Sequence, residues 1–353
     1  MKARVSLASA FVTLAAAALV TAAPALAEPA VVGPPSSIAS TGDSITRAFN
    51  TCWFPYVDCP SNSWSTGTAS WTHYRRILAV NPAISGRTSN HAVTGADMAD
   101  LNGQAQAAVT RRAAYVTILI GANDVCASSE AAMTPTATFR AQVEQSLATL
   151  SAGLPDARIF VSSIPDIYQL FSIYRYNLGA VSVWSAAGIC QSMLANPLSN
   201  AAADVDRRTR VRQRNIDYNT QLAATCALYV HCRFDGNAGF NTAFVRADVT
   251  TRDYVHPSVA GQTKLAGISW TSTFDFRDVT APSSSATTAP GPGGTLVTLA
   301  ATDNAGVAGV EIRLGAAGWT RYTAPVTVAP GVTLTWRAVD VNGNSEATKS
   351  VVG

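Results

Sequence analysis

The amino-acid sequence predicts a three-layer α/β/α sandwich followed by a small all-β region. Between residues 36 and 272, short apolar runs alternate with longer segments of helical period, as in a parallel sheet covered by helices on both faces. After residue 294 the apolar residues recur with the two-residue period of strands, and turn residues separate them. A chain of 353 residues is long enough for two domains.

The α/β region contains five strand candidates and five helix candidates. Strands are expected at residues 37–41, 89–93, 115–120, 158–164 and 227–234. Helices are expected at residues 71–80, 98–112, 136–150, 205–226 and 258–273. Residues 165–203 interrupt this alternation, and long ordered insertions of this kind are usually functional or held by further restraints.

Residues 1–27 have the pattern of an export signal. Lys2 and Arg4 precede an uncharged apolar run, and the segment closes on the small-x-small sequence Ala25-Leu26-Ala27. The alternative is an uncleaved membrane anchor, because the apolar run approaches the length that spans a bilayer. Pro24 and the cleavage pattern favour removal after Ala27, and therefore a secreted protein.

The net charge of the chain indicates which classes of partner it can bind. The chain has 25 basic and 22 acidic residues, and removal of Lys2 and Arg4 with the signal leaves 23 against 22, a net charge of about +1. A nearly neutral chain lacks the basic surface that nucleic acid requires, so we expect no nucleic-acid partner. We also expect a monomer.

Six cysteines follow the signal, and an even number in an exported chain favours three disulfides. Fifteen pairings are possible for six cysteines. Short spacing favours Cys52–Cys59 and Cys226–Cys232, which leaves Cys126 to pair with Cys190. A zinc site is the competing interpretation, but the sequence has no C-x-x-C pair and only four histidines.

A shift in composition divides the chain. Residues 279–294 are rich in Pro, Ser, Thr and Gly, which predicts a boundary between an α/β domain at 28–278 and a β-sandwich at 295–353, with room for a first strand in the boundary itself. Strand candidates in the second region are residues 296–300, 310–314, 320–322, 326–328, 334–339 and 348–352.

Two turns in the second region, residues 301–306 and 338–343, repeat Asp and Asn in similar phrases. They suggest either calcium loops or turns in which an Asx side chain caps the backbone. Neither stretch has the carboxylate density of an EF-hand loop, which favours plain turns.

A nucleophile candidate follows the first strand. Ser44, in Thr41-Gly42-Asp43-Ser44, comes before a helix-compatible stretch at residues 45–49. Open α/β sheets place their sites at this edge, and a helix N-terminus there would favour a developing anion. The tetrapeptide alone is equally compatible with a turn in which Ser44 caps a helix.

A base candidate lies near the end of the α/β region. Asp253 and His256 stand three residues apart before Pro257, so one loop could supply an imidazole base and the carboxylate that orients it. The other histidines, His73, His91 and His231, fall in a predicted helix and in predicted strands, and we expect them to be structural.

Four sequence blocks in order resemble a known family. They are Gly42-Asp43-Ser44, the stretch at residues 90–96 that contains Gly95, Gly121-Ala122-Asn123-Asp124, and the stretch from Asp253 to His256. Over residues 38–258 the chain resembles the SGNH, or GDSL-type, serine hydrolases, and its cysteine spacing resembles their secreted, disulfide-bonded lipases and esterases. The resemblance implies a flavodoxin-like parallel sheet. The last region resembles bacterial Ig-like modules.

The resemblance also implies roles for individual residues. Ser44 would attack the ester carbonyl, with His256 as base and Asp253 as its orienting carboxylate. The backbone N–H groups of Ser44 and Gly95 and the side-chain amide of Asn123 would form the oxyanion hole. Asp43 and Asp124 would shape their loops. Family members often carry Ser before the second-block glycine, and Thr94 in that position puts the shape of the acyl pocket in doubt.

We therefore expect hydrolysis of carboxylic esters, of small molecules or of lipids, through an acyl-enzyme, with no metal and no organic cofactor. Aromatic residues between Tyr168 and Trp184 modestly favour a lipid-like or aryl substrate; they would either line an acyl groove or pack beneath a disulfide-tethered loop. One alternative is a carbohydrate acetyl esterase whose β-domain contacts polysaccharide or cell wall. Another is a binding protein with inert catalytic machinery.

Overall fold

The computed structural model describes residues 27–353. Residues 1–26, which hold nearly all of the predicted export signal, lie outside the described residues. Among the residues that are described, no helix combines the length and the apolar character that a membrane span needs.

A five-stranded parallel sheet forms the centre of the α/β region, as predicted. Its strands are β1 (Ile38–Gly42), β2 (Thr88–Asn90), β3 (Tyr115–Leu119), β4 (Arg158–Val161) and β5 (Cys232–Phe234). They lie in the order β2-β1-β3-β4-β5, and every neighbouring pair is parallel. The direction of winding changes at β1, so the carboxyl end of β1 is where such a sheet forms a crevice.

Ten helices accompany these strands in the described part of the chain. They are α1 (His73–Val80), α2 (Leu101–Thr110), α3 (Ala122–Val125), α4 (Thr136–Gly153), α5 (Ile167–Tyr174), α6 (Leu178–Ala186), α7 (Gln191–Leu194), α8 (Ala202–Cys226), α9 (Ala238–Asn241) and α10 (Val259–Ser272).

The two faces of the sheet bury different helices. Ala39 of β1 belongs to an apolar cluster with α2, α4 and α8. Its neighbour Ile38 belongs to a second cluster with α1 and α10. Because successive strand residues point to opposite faces, this alternation produces the three layers.

One predicted element is wrong. Residues 45–49 do not form the expected helix but a series of tight turns, with Ala48 and Asn50 at φ of 51° and 66°. Residues in this left-handed region do not continue a right-handed helix, so no helix dipole acts on Ser44. The predicted strand at 227–234 shortens to β5 because α8 runs on to Cys226 and turns follow it.

The C-terminal region consists of two antiparallel sheets. Its strands are β6 (Ser283–Gly291), β7 (Gly294–Thr302), β8 (Val307–Leu314), β9 (Thr320–Arg321), β10 (Val326–Val328), β11 (Thr333–Asp340) and β12 (Lys349–Val352). The orders are β10-β7-β6 and β12-β11-β8-β9. Val297 and Val328 from one sheet share an apolar core with Ile312 and Trp336 from the other. The predicted all-β region is confirmed, and β6 occupies most of the predicted boundary.

Buried polar contacts join the two regions. Arg158 of β4 is 3% exposed and donates to the carbonyl oxygens of Gly33 and Asn342 and to Oδ1 of Asn344, at 2.7 to 2.9 Å. Val31 pairs with Ser345 in an antiparallel bridge, so the start of the predicted α/β domain lies against the C-terminal region. A buried cation needs these partners, which argues against a loosely tethered module.

The two Asp-containing turns have the hydrogen bonds of Asx turns. Oδ1 of Asp303 accepts from the N–H groups of Ala305 and Gly306, and Oδ1 of Asp340 accepts from those of Asn342 and Asn344. Carboxylate oxygens of Asp278, Asp303 and Asp340 lie within 4.8 Å of one another. Since local turns account for the positions of these side chains, we assign no ion to them.

Candidate active site

The end of β1 brings Ser44 to the crevice. Gly42 has φ of 145°, and a Cβ there would lie 2.1 Å from the carbonyl oxygen of Leu119, so only glycine fits between β1 and β3. The buried side chain of Gln104 accepts from the N–H of Gly42 and donates to its carbonyl oxygen. The turn that carries Ser44 is therefore fixed on both sides.

Ser44, His256 and Asp253 form a hydrogen-bonded chain. Nε2 of His256 lies 2.8 Å from Oγ of Ser44, and Nδ1 lies 2.8 Å from Oδ2 of Asp253. The loop that holds His256 is closed by a bridge between Val249 and Pro257, just before α10. Such a chain can take the proton of a serine hydroxyl while the carboxylate stabilises the imidazolium that forms.

The carboxylate of Asp253 is held at several points. Its Oδ1 accepts from the N–H groups of Val255 and His256 at 2.8 and 3.0 Å. Burial raises the pKa of Asp253, but the hydrogen bond and charge of the His256 side chain, together with the backbone N–H groups of His256 and Val255, outweigh burial and bring the net pKa below its ordinary value. The side chain therefore stays ionised, as an orienting carboxylate must.

Asn50 is a site residue that the sequence analysis missed. Its side chain is buried, its Nδ2 donates to Oδ2 of Asp253, and its Oδ1 accepts from the N–H of Tyr56. Asn50 thus connects the Asp253 carboxylate to the loop closed by Cys52 and Cys59. The contact joins positions 203 residues apart, and no local pattern points to it.

Three groups that were predicted to form the oxyanion hole follow β1, β2 and β3. Nδ2 of Asn123 donates to the carbonyl oxygen of Ala96 at 2.7 Å, which leaves its second N–H for another acceptor. Within residues 27–353, the backbone N–H groups of Ser44 and Gly95 donate no hydrogen bond. Gly95 has φ of 86° and no atom near the position of a Cβ, so substrate can approach its backbone.

Asp43 and Asp124 lie behind these groups. Asp43 accepts from the N–H of Ile45, and Asp124 accepts from that of Met98, so each carboxyl fixes a loop of the site. Burial raises the pKa of Asp43 to about 7, partly offset by Ile45 and His256 and reinforced by Asp124. Burial likewise raises the pKa of Asp124 to about 6.

An apolar cavity of about 180 Å³ opens beside Ser44 and His256. Its lining includes Ile167, Leu170 and Ile173 of α5, together with Ile189 and Phe244. Its lining also includes two carboxylates, Asp166 and Asp248, which are paired with Arg212 and Lys264. An apolar acyl chain could therefore bind in this cavity next to Ser44.

The aromatic side chains of the insertion do not form this lining. Phe171, Tyr174 and Trp184 are buried in the core, and Tyr176 is exposed. Of the two interpretations left open by the sequence, packing beneath a tethered loop describes Phe171, Tyr174 and Trp184, and Tyr176 fits neither. The disulfides are Cys52–Cys59, Cys126–Cys190 and Cys226–Cys232, and the second one borders the cavity.

A parallel sheet with a hydrogen-bonded Ser–His–Asp chain at its carboxyl edge is the arrangement of a serine hydrolase. The model of the GDSL-like lipase/acylhydrolase family matches residues 41–264. The chain belongs to this family and is an ester hydrolase. The match ends before the C-terminal β region.

A comparison with solved structures matches this chain to proteins that include three esterases or lipases. The extracellular lipase of Streptomyces rimosus is 16% identical, with 67% of this chain and 99% of that chain covered and a TM-score of 0.42. The Clostridium thermocellum family 3 carbohydrate esterase is 14% identical, with coverages of 67% and 94% and a TM-score of 0.38. A lipase/acylhydrolase of Enterococcus faecalis is 16% identical, with coverages of 66% and 92% and a TM-score of 0.33. A comparison with curated proteins finds no match to the sequence.

Proposed function

We propose that this protein is a secreted carboxylic ester hydrolase in which Ser44 forms an acyl-enzyme. His256 takes the serine proton and later returns it to the leaving alcohol, and Asp253 orients the imidazole. The single observation that supports this best is the hydrogen-bonded chain from Ser44 through His256 to Asp253 beside an apolar cavity.

The oxyanion would be held by the N–H groups of Ser44 and Gly95 and by the side-chain amide of Asn123. Negative charge develops on the carbonyl oxygen only as the tetrahedral intermediate forms, so donors aimed at it lower the barrier rather than tighten substrate binding. The fixed Asn123 side chain, with one N–H already bound to Ala96, supports this role.

The size of the cavity favours a medium-length or aromatic acyl group. An apolar cavity of about 150 Å³ in another protein holds one benzene ring, so 180 Å³ holds roughly one ring or a chain of about six carbons. An acetyl group would leave most of this apolar space unfilled, which weighs against a carbohydrate acetyl esterase. Secretion is supported by the signal-like pattern at residues 1–27 and by three disulfides.

A panel of nitrophenyl esters with acyl chains of increasing length tests this proposal. We expect kcat/KM to peak at medium chains or at benzoyl, and Ile173→Trp, which narrows the cavity, to move the peak to shorter chains. Ser172→Trp is the matched control, because Ser172 lies exposed on the same helix. A wild-type preference for acetyl, or an equal loss on all esters in Ile173→Trp, contradicts the assignment of the cavity.

A further inference from the structure

An exposed aromatic loop lies beside the site, with its large side chains facing solvent. The aromatic loop is the segment between Cys52 and Cys59, and its five residues from 53 to 57, Trp-Phe-Pro-Tyr-Val, are all exposed and uncharged. Trp53 is 89% exposed and Phe54 70%. Large apolar side chains gathered in water are unfavourable, and contiguous patches usually mark a contact surface.

The backbone of the aromatic loop is fixed even though its side chains are free. The disulfide closes it, and the guanidinium of Arg252 donates to the carbonyl oxygens of Trp53 and Phe54 at 2.8 and 2.9 Å. Asn50 accepts from the N–H of Tyr56 within the same loop. The aromatic rings are thus presented to solvent on a rigid support, which lowers the entropy cost of a contact.

The aromatic loop is bound to the catalytic loop, which is the loop between Val249 and Pro257 that contains Asp253 and His256. Arg252, which holds it, comes directly before Asp253, and the following residues Val255 and His256 line the cavity. On the other side, Tyr254 lies against the start of α6, where a Cβ on Gly179 would be 2.8 Å from its hydroxyl oxygen. Exposed Tyr176 and Leu178 precede that point.

The chemistry of this surface favours lipid over sugar. Trp and Tyr have an apolar body and one polar tip, which suits the boundary between lipid and water. A sugar site needs carboxylates or amides to bind hydroxyl groups as well as rings for stacking. Residues 53–57 have neither, and the adjacent Asp58 is already bound by Arg47 and Thr94.

We propose that the aromatic loop, with Tyr176 and Leu178, docks the enzyme on the surface of aggregated ester lipid. The proposal rests on the proposed function, since it supplies the substrate class that the cavity beside Ser44 receives. Docking brings the catalytic loop to the lipid surface, so an acyl chain passes from the aggregate into the cavity without crossing bulk water.

Binding is tested without turnover, on the Ser44→Ala protein with vesicles of phosphatidylcholine. We expect the Ser44→Ala protein to sediment with the vesicles. Adding Trp53→Ser and Phe54→Ser to this protein should weaken its binding to vesicles by about tenfold or more, because two aromatic side chains would no longer be buried in lipid. Trp71→Ser is the control, because Trp71 is 52% exposed but lies beside Arg76 rather than at the catalytic loop.

The same paired substitution in the active enzyme separates docking from catalysis. We expect hydrolysis of a soluble short-chain ester to stay within about twofold of wild type, while hydrolysis of an emulsified ester falls about tenfold. Equal vesicle binding with and without the aromatic pair overturns the proposal, as does binding to insoluble polysaccharide in place of vesicles. If the wild type hydrolyses no soluble ester, the proposed function fails, and vesicle binding still decides whether the loop docks.

Discussion

His256 and His231 make similar contacts in different parts of the molecule. Each ring has a nitrogen near a buried carboxylate, at 2.8 Å from Asp253 for His256 and at 3.3 Å from Glu311 for His231. The difference lies around the rest of the ring. His256 turns its other nitrogen to Oγ of Ser44, at 2.8 Å and beside an open cavity.

His231 instead lies between the two regions of the chain. The nitrogen near Glu311 is also 3.4 Å from the guanidinium of Arg337, and Nδ1 is buried with no hydrogen-bond partner in the described residues. Within residues 27–353, neither nitrogen of this ring forms a hydrogen bond with a hydroxyl group. The comparison teaches that a histidine–carboxylate pair identifies a base only when the second nitrogen faces a group that has a proton to give.

Replacing each histidine in turn should give the largest difference in kcat/KM that we predict. His256→Ala should lower kcat/KM by about 10³-fold or more, because it removes the base. His231→Gln should leave kcat/KM near the wild-type value but lower the free energy of unfolding by about 1 to 3 kcal/mol, since it disturbs a buried polar cluster. Ester assays measure kcat/KM and urea unfolding measures stability for both variants. A comparable loss of kcat/KM in a folded His231→Gln protein would contradict the assignment of His256 as the base and His231 as a structural residue.

Asn123→Ala should have the next largest effect. We expect kcat to fall by roughly 10² to 10³, with a smaller change in KM, because the amide acts chiefly on the developing charge. Steady-state kinetics with one soluble ester separates the two constants. If KM alone changes, Asn123 binds the substrate rather than the oxyanion.

A third prediction concerns how the free energy of unfolding changes with pH. The pKa of Asp43 is raised from 3.8 to about 7, so the folded protein keeps a proton that the unfolded chain releases. This contribution is fully present below about pH 4 and is lost as pH rises to 7, by an amount on the order of a few kcal/mol. Asp43→Asn cannot ionise and should lose less stability than wild type between pH 5 and 8. Urea midpoints that change with pH equally in both proteins would contradict this.

Ser44 was predicted as the nucleophile from its position after a strand, whereas Gly95 and Asn123 were predicted from the family resemblance. In the structure the three residues follow β1, β2 and β3, and parallel strands bring their carboxyl ends to one edge. Asn50 could not be found in this way, because it reaches Asp253 from a distant turn with left-handed φ. The helix that was expected after Ser44 does not form, because the left-handed φ angles of Ala48 and Asn50 interrupt it.

The cavity and the union of the two regions depend on packing that periodicity does not encode. The aromatic residues of the insertion looked suited to an acyl groove, but Phe171 and Trp184 pack in the core and the aliphatic Leu170 and Ile173 line the cavity. The buried Arg158 gave no sign in the sequence that its partners lie in the C-terminal region. The bounds of strand β6 could not be predicted, because its Ser- and Thr-rich sequence has no apolar alternation.

The central claim is that Ser44 is the nucleophile and His256 its base. A fluorophosphonate ester, which reacts with activated serines, tests it when the modified peptide is identified by mass spectrometry. We predict one phosphonyl group per chain, on Ser44, and labelling slowed by about 100-fold or more in His256→Ala. Labelling of another serine, or equal labelling of Ser44→Ala, would contradict the claim.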